Sequence, residues 1–359
     1  MGLIAAHLRA AGLFVCGGVF MAEGQSPAPM IHLVKIETTL SETRSMLRSL
    51  RLATLVLGLI AAIHGAPAAR ATDILYVANL GNNTVSRYDA ANGSYQSSFN
   101  APGAAGIAFN ASGNAFVTDY GNSVVNSYNT AGQLLSTNSS TSLLNPIGIA
   151  FDSQGNYWVA GQYPYFDGTN LYPAVYQYNT SGTLLSQATW IGGTDSYADS
   201  IAINSAGDLF MSVPAFNKVV KYNAGGSPSN YIVGGLVTPT GLAFDSAGYL
   251  YVASSGDNTI RKYDTSANLI STISTNLNSV RGIAFDSAGN LFAANAGNST
   301  ISKFSPTGTF LSSISTNVNV PIGIAFQPVS VPEPSTYALC AIATGVLAAA
   351  ARRRKAKKA

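Results

Sequence analysis

Gly282-Ile283-Ala284-Phe285-Asp286-Ser287-Ala288-Gly289-Asn290-Leu291-Phe292 decides the fold, because close variants of this stretch return along the chain at near-constant spacing. One period earlier the chain reads Gly241-Leu242-Ala243-Phe244-Asp245-Ser246-Ala247-Gly248-Tyr249-Leu250-Tyr251, and further back Gly148-Ile149-Ala150-Phe151-Asp152-Ser153-Gln154-Gly155-Asn156. Weaker copies start at Gly106 and Ser200, and a last partial copy is Gly323-Ile324-Ala325-Phe326. The starts lie 42, 52, 41, 41 and 41 residues apart, a period that belongs to arrays of four-stranded propeller blades.

Each repeat holds four short runs rich in β-branched and aromatic residues, separated by Gly, Asn, Asp and Ser, which is the pattern of antiparallel strands and tight turns. In the repeat from Gly241 these runs are Gly241 to Phe244, Leu250 to Ala253, Thr259 to Tyr263 and Leu269 to Ile273, termed strands a to d. In the a–b turn, Asp-Ser-Ala-Gly, the carboxylate bonds backbone two residues on and Gly supplies positive φ. The b–c turn is Gly256-Asp257-Asn258, echoed at Gly81, Gly121 and Gly297. Turn chemistry explains these oxygens without calcium, so no metal and no cofactor is expected.

The ends of the array fix the blade count. Asp73 to Asn79 matches strand b, Thr84 to Tyr88 strand c and Tyr95 to Phe99 strand d, so the first blade lacks a strand a, while the last repeat is only a strand a. Joining the two predicts an all-β, six-bladed propeller with its ring closed between the C-terminal strand and the N-terminal blade, which removes open sheet edges. Tyr88, Tyr128, Tyr178, Tyr222, Tyr263 and Phe304 all end strand c, and an aromatic at one fixed repeat position reads as packing between blades. The Gly-Ile-Ala-Phe strand suits the crowded ring beside the axis.

Charge separates three segments. Residues 1–71 carry six Lys/Arg and three Glu, and the tail from 331 carries six Lys/Arg and one Glu. Residues 72–330 carry seven Lys/Arg against twelve Asp. A propeller of that sign, with no basic stripe, repels phosphate backbones, which excludes nucleic acid as a partner. Cys16, Cys340, His7, His32 and His64 lie outside residues 72–330, as does every Glu. The propeller works with Asp, Lys, Arg, Tyr, Ser, Thr and Asn, and an enzyme is the less favoured expectation because acid–base catalysis most often uses His or Glu.

Upstream, Met46-Leu47-Arg48-Ser49-Leu50-Arg51 precedes the apolar run Leu52 to Ile63 and then Ala69-Arg70-Ala71. A basic region, a short apolar run and a small-residue site compose a signal peptide, with cleavage expected after Ala71. A run of twelve residues is too short to span a bilayer core of about 30 Å. Residues 1–45 do not fit ahead of a signal peptide, so translation is expected to start at Met46, the alternative being a separate role for the apolar Leu13 to Met21.

Leu250 to Tyr263 and Leu75 to Val85 resemble NHL-type repeats, and the resemblance covers residues 73–327. Relatives of that kind include interaction scaffolds, streptogramin lyases and sugar lactonases, so the fold leaves function open. The lyase likeness implies a catalytic His and the lactonase likeness a divalent cation held partly by Glu, and neither residue type occurs in this propeller. The tail is similar to PEP-CTERM sorting signals: Val331, Pro332, Glu333 and Pro334, then the apolar Tyr337 to Ala351, then Arg352, Arg353, Arg354 and Lys355. That resemblance implies a Gram-negative bacterium making exopolysaccharide and processing by a membrane exosortase. About fifteen apolar residues before a basic cluster fit transient insertion in the inner membrane with the basic end cytoplasmic. The processed protein is then expected at the outer envelope, cell surface or biofilm matrix.

Two candidate sites follow. The 52-residue repeat is longer in its b–c and d–a connections, which emerge on one face, and there it carries Tyr163, Tyr165, Phe166 and Asp167 in the first insertion and Trp190, Asp195, Tyr197 and Asp199 in the second. Aromatics beside carboxylates suit sugar rings; the opposing expectation is that these loops only cover each other. The other candidate is the channel mouth, where Asp199 and Arg281 are the charged residues preceding strand a and Asn79, Asp119, Ser254 and Asn295 end strand b. The leading expectation is a monomeric, non-enzymatic module binding polysaccharide or a matrix protein. The alternatives are a lyase or hydrolase working from Asp119, Asp199 and Arg281, and a purely structural matrix protein.

Overall fold

A computed structural model of the chain describes residues 73–140, 144–161, 165–166, 171–172, 174–189, 197–223, 228–232 and 234–328. Six four-stranded antiparallel sheets follow one another around an axis. Blade 1 takes its strand a, Pro321–Phe326, from the far end of the array and pairs it with strand b, Ile74–Asn79, which leads to Thr84–Asp89 and Tyr95–Asn100. Blade 2 comprises Ala104–Phe109, Ala115–Asp119, Val124–Tyr128 and Leu134–Ser139, and blade 3 Pro146–Phe151, Tyr157–Gly161, Ala174–Tyr178 and Leu184–Thr189. Blades 4 and 5 run Ile201–Ile203, Leu209–Val213, Lys218–Tyr222, Pro228–Ile232, and Pro239–Phe244, Leu250–Ser254, Thr259–Tyr263, Leu269–Ile273. Blade 6 comprises Val280–Phe285, Leu291–Asn295, Thr300–Phe304 and Phe310–Ile314. The six-bladed ring and its closure are those expected from the repeat, and strand a of blade 5 starts two residues before Gly241.

Strand a lines the axis, and its repeated glycine is there because six strands converge. A Cβ on Gly148 would sit 2.7 Å from the Asp199 carbonyl oxygen and 2.8 Å from the Ser200 Cα. On Gly106, Gly241 and Gly323 it would strike the carbonyls of Ile147, Arg281 and Ala105. Blade 4 has Ser200 at this position, and its hydroxyl accepts the Leu242 backbone N–H of blade 5 at 3.3 Å. Thr118 and Ser212 add hydroxyl bonds to the next blade's Ile147 and Thr240 carbonyls at 3.0 and 2.7 Å.

The core is a set of inter-blade layers. Each strand-c aromatic named above is at most 4% exposed and packs with residues of the preceding blade: Tyr128 beside Tyr76 and Val85, Tyr263 beside Phe210 and Val219. A second aromatic layer joins strand b of one blade to the last residue of strand a in the next. Tyr76 meets Phe109, Phe116 meets Phe151, Phe210 meets Phe244, Tyr251 meets Phe285 and Phe292 meets Phe326, edge to face, with centroids 4.8 to 5.1 Å apart. Such pairs add about 0.5–1.5 kcal/mol each beyond area burial.

The a–b turns behave as the Asp-Ser-Ala-Gly pattern predicts. Asp245 accepts the Ala247 and Tyr249 N–H groups at 3.0 and 2.9 Å, and Gly248 has φ +84°. In the b–c turn the positive φ falls instead on the third residue, Asn83, Ser123, Asn258 or Ser299. That residue's side chain reaches the incoming d–a connection, as Asn83 Oδ1 does in accepting the Gly103 N–H at 2.9 Å.

Replacing Gly282 with Ala places a Cβ 2.5 Å from the Ile322 carbonyl oxygen and 3.1 Å from the Ile324 nitrogen, and we expect a loss of about 3 kcal/mol, the upper end for overpacking. Gly207, with φ +83° and open space around it, should lose only about 1 kcal/mol as Ala, the backbone term alone. Denaturant unfolding of the two variants checks the order.

Candidate functional site

The channel along the axis is built in layers. Ile107, Ile149, Ile201, Leu242, Ile283 and Ile324 form an apolar belt, and one step toward the b–c side Ile147, Asp199, Arg281 and Ile322 line the mouth. The cavity they enclose holds about 90 Å³. That is room for a few water molecules at ~30 Å³ each and well below the roughly 300 Å³ at which small-molecule pockets begin.

The mouth is asymmetric. Ala105, Ile147 and Ile322 cluster with Leu80, Tyr120 and Ala296 on its apolar side, while Asp199 and Arg281 pair at 2.9 Å on the other, with side chains 5% and 31% exposed. Burial pushes the Asp199 carboxyl above the ordinary carboxylate range, and Arg281 opposes that without cancelling it. Burial also raises Tyr197, and Asp199 adds to the rise while Arg281 reduces it, which brings Tyr197 into the same electrostatic cluster.

Tyr197, Asp199 and Arg281 are thus brought together, and the four strand-b residues are not. Asn79, Asp119, Ser254 and Asn295 are at most 2% exposed and lie outside the cavity lining. Asn79 Oδ1 accepts the Asn319 N–H at 3.0 Å and Asn295 Oδ1 the Asn278 N–H at 3.0 Å. Ser254 Oγ accepts the Val237 N–H at 2.8 Å, and the Asp119 carboxylate takes the backbone and side-chain N–H groups of Asn122 at 2.9 and 2.8 Å. Asn79, Asn295 and Ser254 thus hold d–a connections, and Asp119 holds its own b–c turn. The polar residue ending strand b was visible in the sequence and its latch role was not, because its partners lie on irregular connections, the one bound by Asn79 being 240 residues away.

The long connection of blade 3 contains a short hairpin, Tyr165–Phe166 paired with Leu171–Tyr172. Antiparallel alternation puts it on the same face as residues 197–200, the described part of the d–a connection that leads into blade 4. Tyr163, Asp167, Trp190 and Asp195 lie outside the described residues, as do the N-terminal segment through Ala71 and the tail from Val331. Among the described residues no group of three metal-ligating side chains occurs, and no helix is long and apolar enough to cross a membrane.

Comparison with known proteins agrees with the fold and the tail. A protein of unknown function from Bacteroides caccae is similar over 72% of this chain and 100% of its own, at 15% identity and TM-score 0.59. A chain of a nidogen–laminin complex matches over 72% and 99% at 14% identity and TM-score 0.59, and a streptogramin B lyase over 71% and 86% at 15% and 0.54. These likenesses concern the fold. No curated protein matches the sequence.

The Asp199 shift has a definite sign in pH. A carboxyl raised in the folded state takes up a proton more readily there, so stability is lost as pH rises from near 4, the unfolded value, through the folded value. Relative to Asp199→Asn, the parent should therefore lose thermal stability between pH 3 and pH 7. Arg281→Met should cost about 3 kcal/mol at pH 7 by orphaning the buried carboxylate, and less once Asp199 is protonated. A flat difference across that range in thermal unfolding would refute the assignment.

Residues 330–355 match the PEP-CTERM protein-sorting motif, and the chain is an exported six-bladed β-propeller that is held at the membrane by that tail until an exosortase processes it.

Proposed function

We propose that the exported propeller is a non-catalytic binding module of the cell surface or biofilm matrix, taking exopolysaccharide or another matrix component on the face of its b–c and d–a connections. The hairpin Tyr165–Phe166 with Leu171–Tyr172 carries this reading: it adds a paired element to a blade connection on the face expected to bear Tyr163, Asp167 and Trp190. Aromatic faces stack on sugar rings, and carboxylates accept their hydroxyls.

Catalysis at the mouth has weaker support. Asp199 is tied to Arg281, Asp119 is held by Asn122, and the cavity is too small for a sugar ring. Solved propellers of this shape include a lyase and a chain bound in a laminin complex, so shape does not choose between the readings.

Co-sedimentation of the purified protein with its host's exopolysaccharide should show saturable binding. Changing Tyr163, Tyr165 and Phe166 to Ala should weaken it at least about tenfold, a loss of ~1.4 kcal/mol. Failure of the parent to co-sediment would reject the reading for that polymer.

A further inference from the structure

Four of the six blade seams carry a cation over an aromatic pair, the seam between blades 2 and 3 keeps the pair with Ser127 in place of the cation, and the seam between blades 3 and 4 has neither. On the outer side of the seams, the residue before the strand-c aromatic is Arg87, Ser127, Gln177, Lys221, Lys262 or Lys303 in blades 1 to 6. Arg87 lies over the Tyr76 ring at 5.9 Å, Lys221 over Phe210 at 5.5 Å, Lys262 over Tyr251 at 5.0 Å and Lys303 over Phe292 at 5.1 Å. Lys221 and Lys262 also pair with the a–b turn carboxylates Asp208 and Asp245 at 2.9 and 3.1 Å. Long cationic stems thereby cover the aromatic layer.

Between blades 3 and 4 both covers are gone. Gln177 replaces the cation, and Ile203 stands where the other blades end strand a with Phe. Trp158, the strand-b aromatic of blade 3, is left lining an open groove of about 610 Å³ together with Asp152, Gln154, Gln177, Ser186 and Gln187. Tyr222 also lines the groove, and its buried hydroxyl has no hydrogen-bond partner among the described residues. Among the described residues no Lys or Arg lines it. Asp152 is already oriented: Oδ1 accepts the Gln154 and Asn156 N–H groups at 3.0 and 2.9 Å, and Oδ2 accepts Gln177 Nε2 at 2.7 Å. Gln177 Oε1 in turn accepts the Ser186 hydroxyl at 2.7 Å.

We propose that this groove is a binding site for a neutral saccharide unit. Its volume lies in the range of small-ligand pockets, and an indole among amides, hydroxyls and one carboxylate offers an apolar platform with both donors and acceptors. The unneutralised Asp152 disfavours an anionic ligand. The groove opens on the side of the a–b turns, opposite the hairpin of blade 3, and is independent of the face proposed above.

The test uses the purified full chain in a Trp190→Phe background, so that Trp158 is the sole indole of the two tryptophans present. Titration with a panel of neutral and acidic oligosaccharides is followed by tryptophan fluorescence. A saturable response to a neutral member is expected. The double variant Gln177→Lys with Ile203→Phe rebuilds the seam as the one between blades 4 and 5 is built; it should unfold at the same or higher temperature and bind at least about tenfold more weakly. A second filling variant, Ala206→Tyr from the exposed turn beside the groove, should do the same without touching the core. Changing Tyr163, Tyr165 and Phe166 to Ala should leave the response intact. No saturable response to any neutral member, a response to acidic members alone, or binding retained by both filled seams overturns the site. Binding lost only with the Tyr163, Tyr165 and Phe166 changes would move the sugar to the other face and leave the earlier reading standing.

Discussion

The closeness of the six inner strands governs this molecule. Where Gly106, Gly148, Gly241, Gly282 and Gly323 face the next blade, backbone meets backbone without a side chain between them. That contact sets the radius of the ring, and the radius sets how far apart neighbouring sheets diverge outward. The aromatic layers are sized to that divergence: small aliphatic residues at the axis, then edge-to-face rings, then cationic stems. The hub also decides what the axis cannot do. A cavity of about 90 Å³ has no room for a ligand of several rings.

Ser200 shows how a departure at the hub is absorbed. It places a Cβ and a hydroxyl where the other blades have hydrogen, and the hydroxyl finds the Leu242 N–H. Blade 4 is irregular elsewhere too, with a three-residue strand a ending at Ile203. The Asp199–Arg281 pair and the open seam with Trp158 both border this blade. Regular repeats pack alike and cover their own seams, and individual chemistry collects where the repeat is least faithful.

Much of this was legible in the sequence because a repeat reports its own average. The Gly-Ile-Ala-Phe strand, the Asp-Ser-Ala-Gly turn and the strand-c aromatics recur, so period and residue type place them without a partner being known. Ring closure followed from what the first and last repeats lack. Relations between repeats were not legible. Asn79 and Asn295 look like mouth residues when aligned, and the latch role appears only when Asn319 and Asn278 are seen bonding to them, in the first case 240 residues away. The open seam combines Gln177 of one repeat with Ile203 of the next, a coincidence that no alignment of repeats to a consensus weights. The asymmetry of the mouth was visible as Asp199 and Arg281, 82 residues apart, and their contact was not.

The seam between the chain's first and last strands carries a consequence for timing. A polypeptide crossing a membrane N-terminus first delivers Ile74–Asn79 early and its partner Pro321–Phe326 after every other blade. Until then the inner edge of that first strand is open to mispairing. The sealing strand stands four residues ahead of the sorting motif at 330–355. Completion of the ring and arrival of the sorting signal are thereby nearly one event: a chain truncated before Phe326 lacks both the sealing strand and the sorting motif.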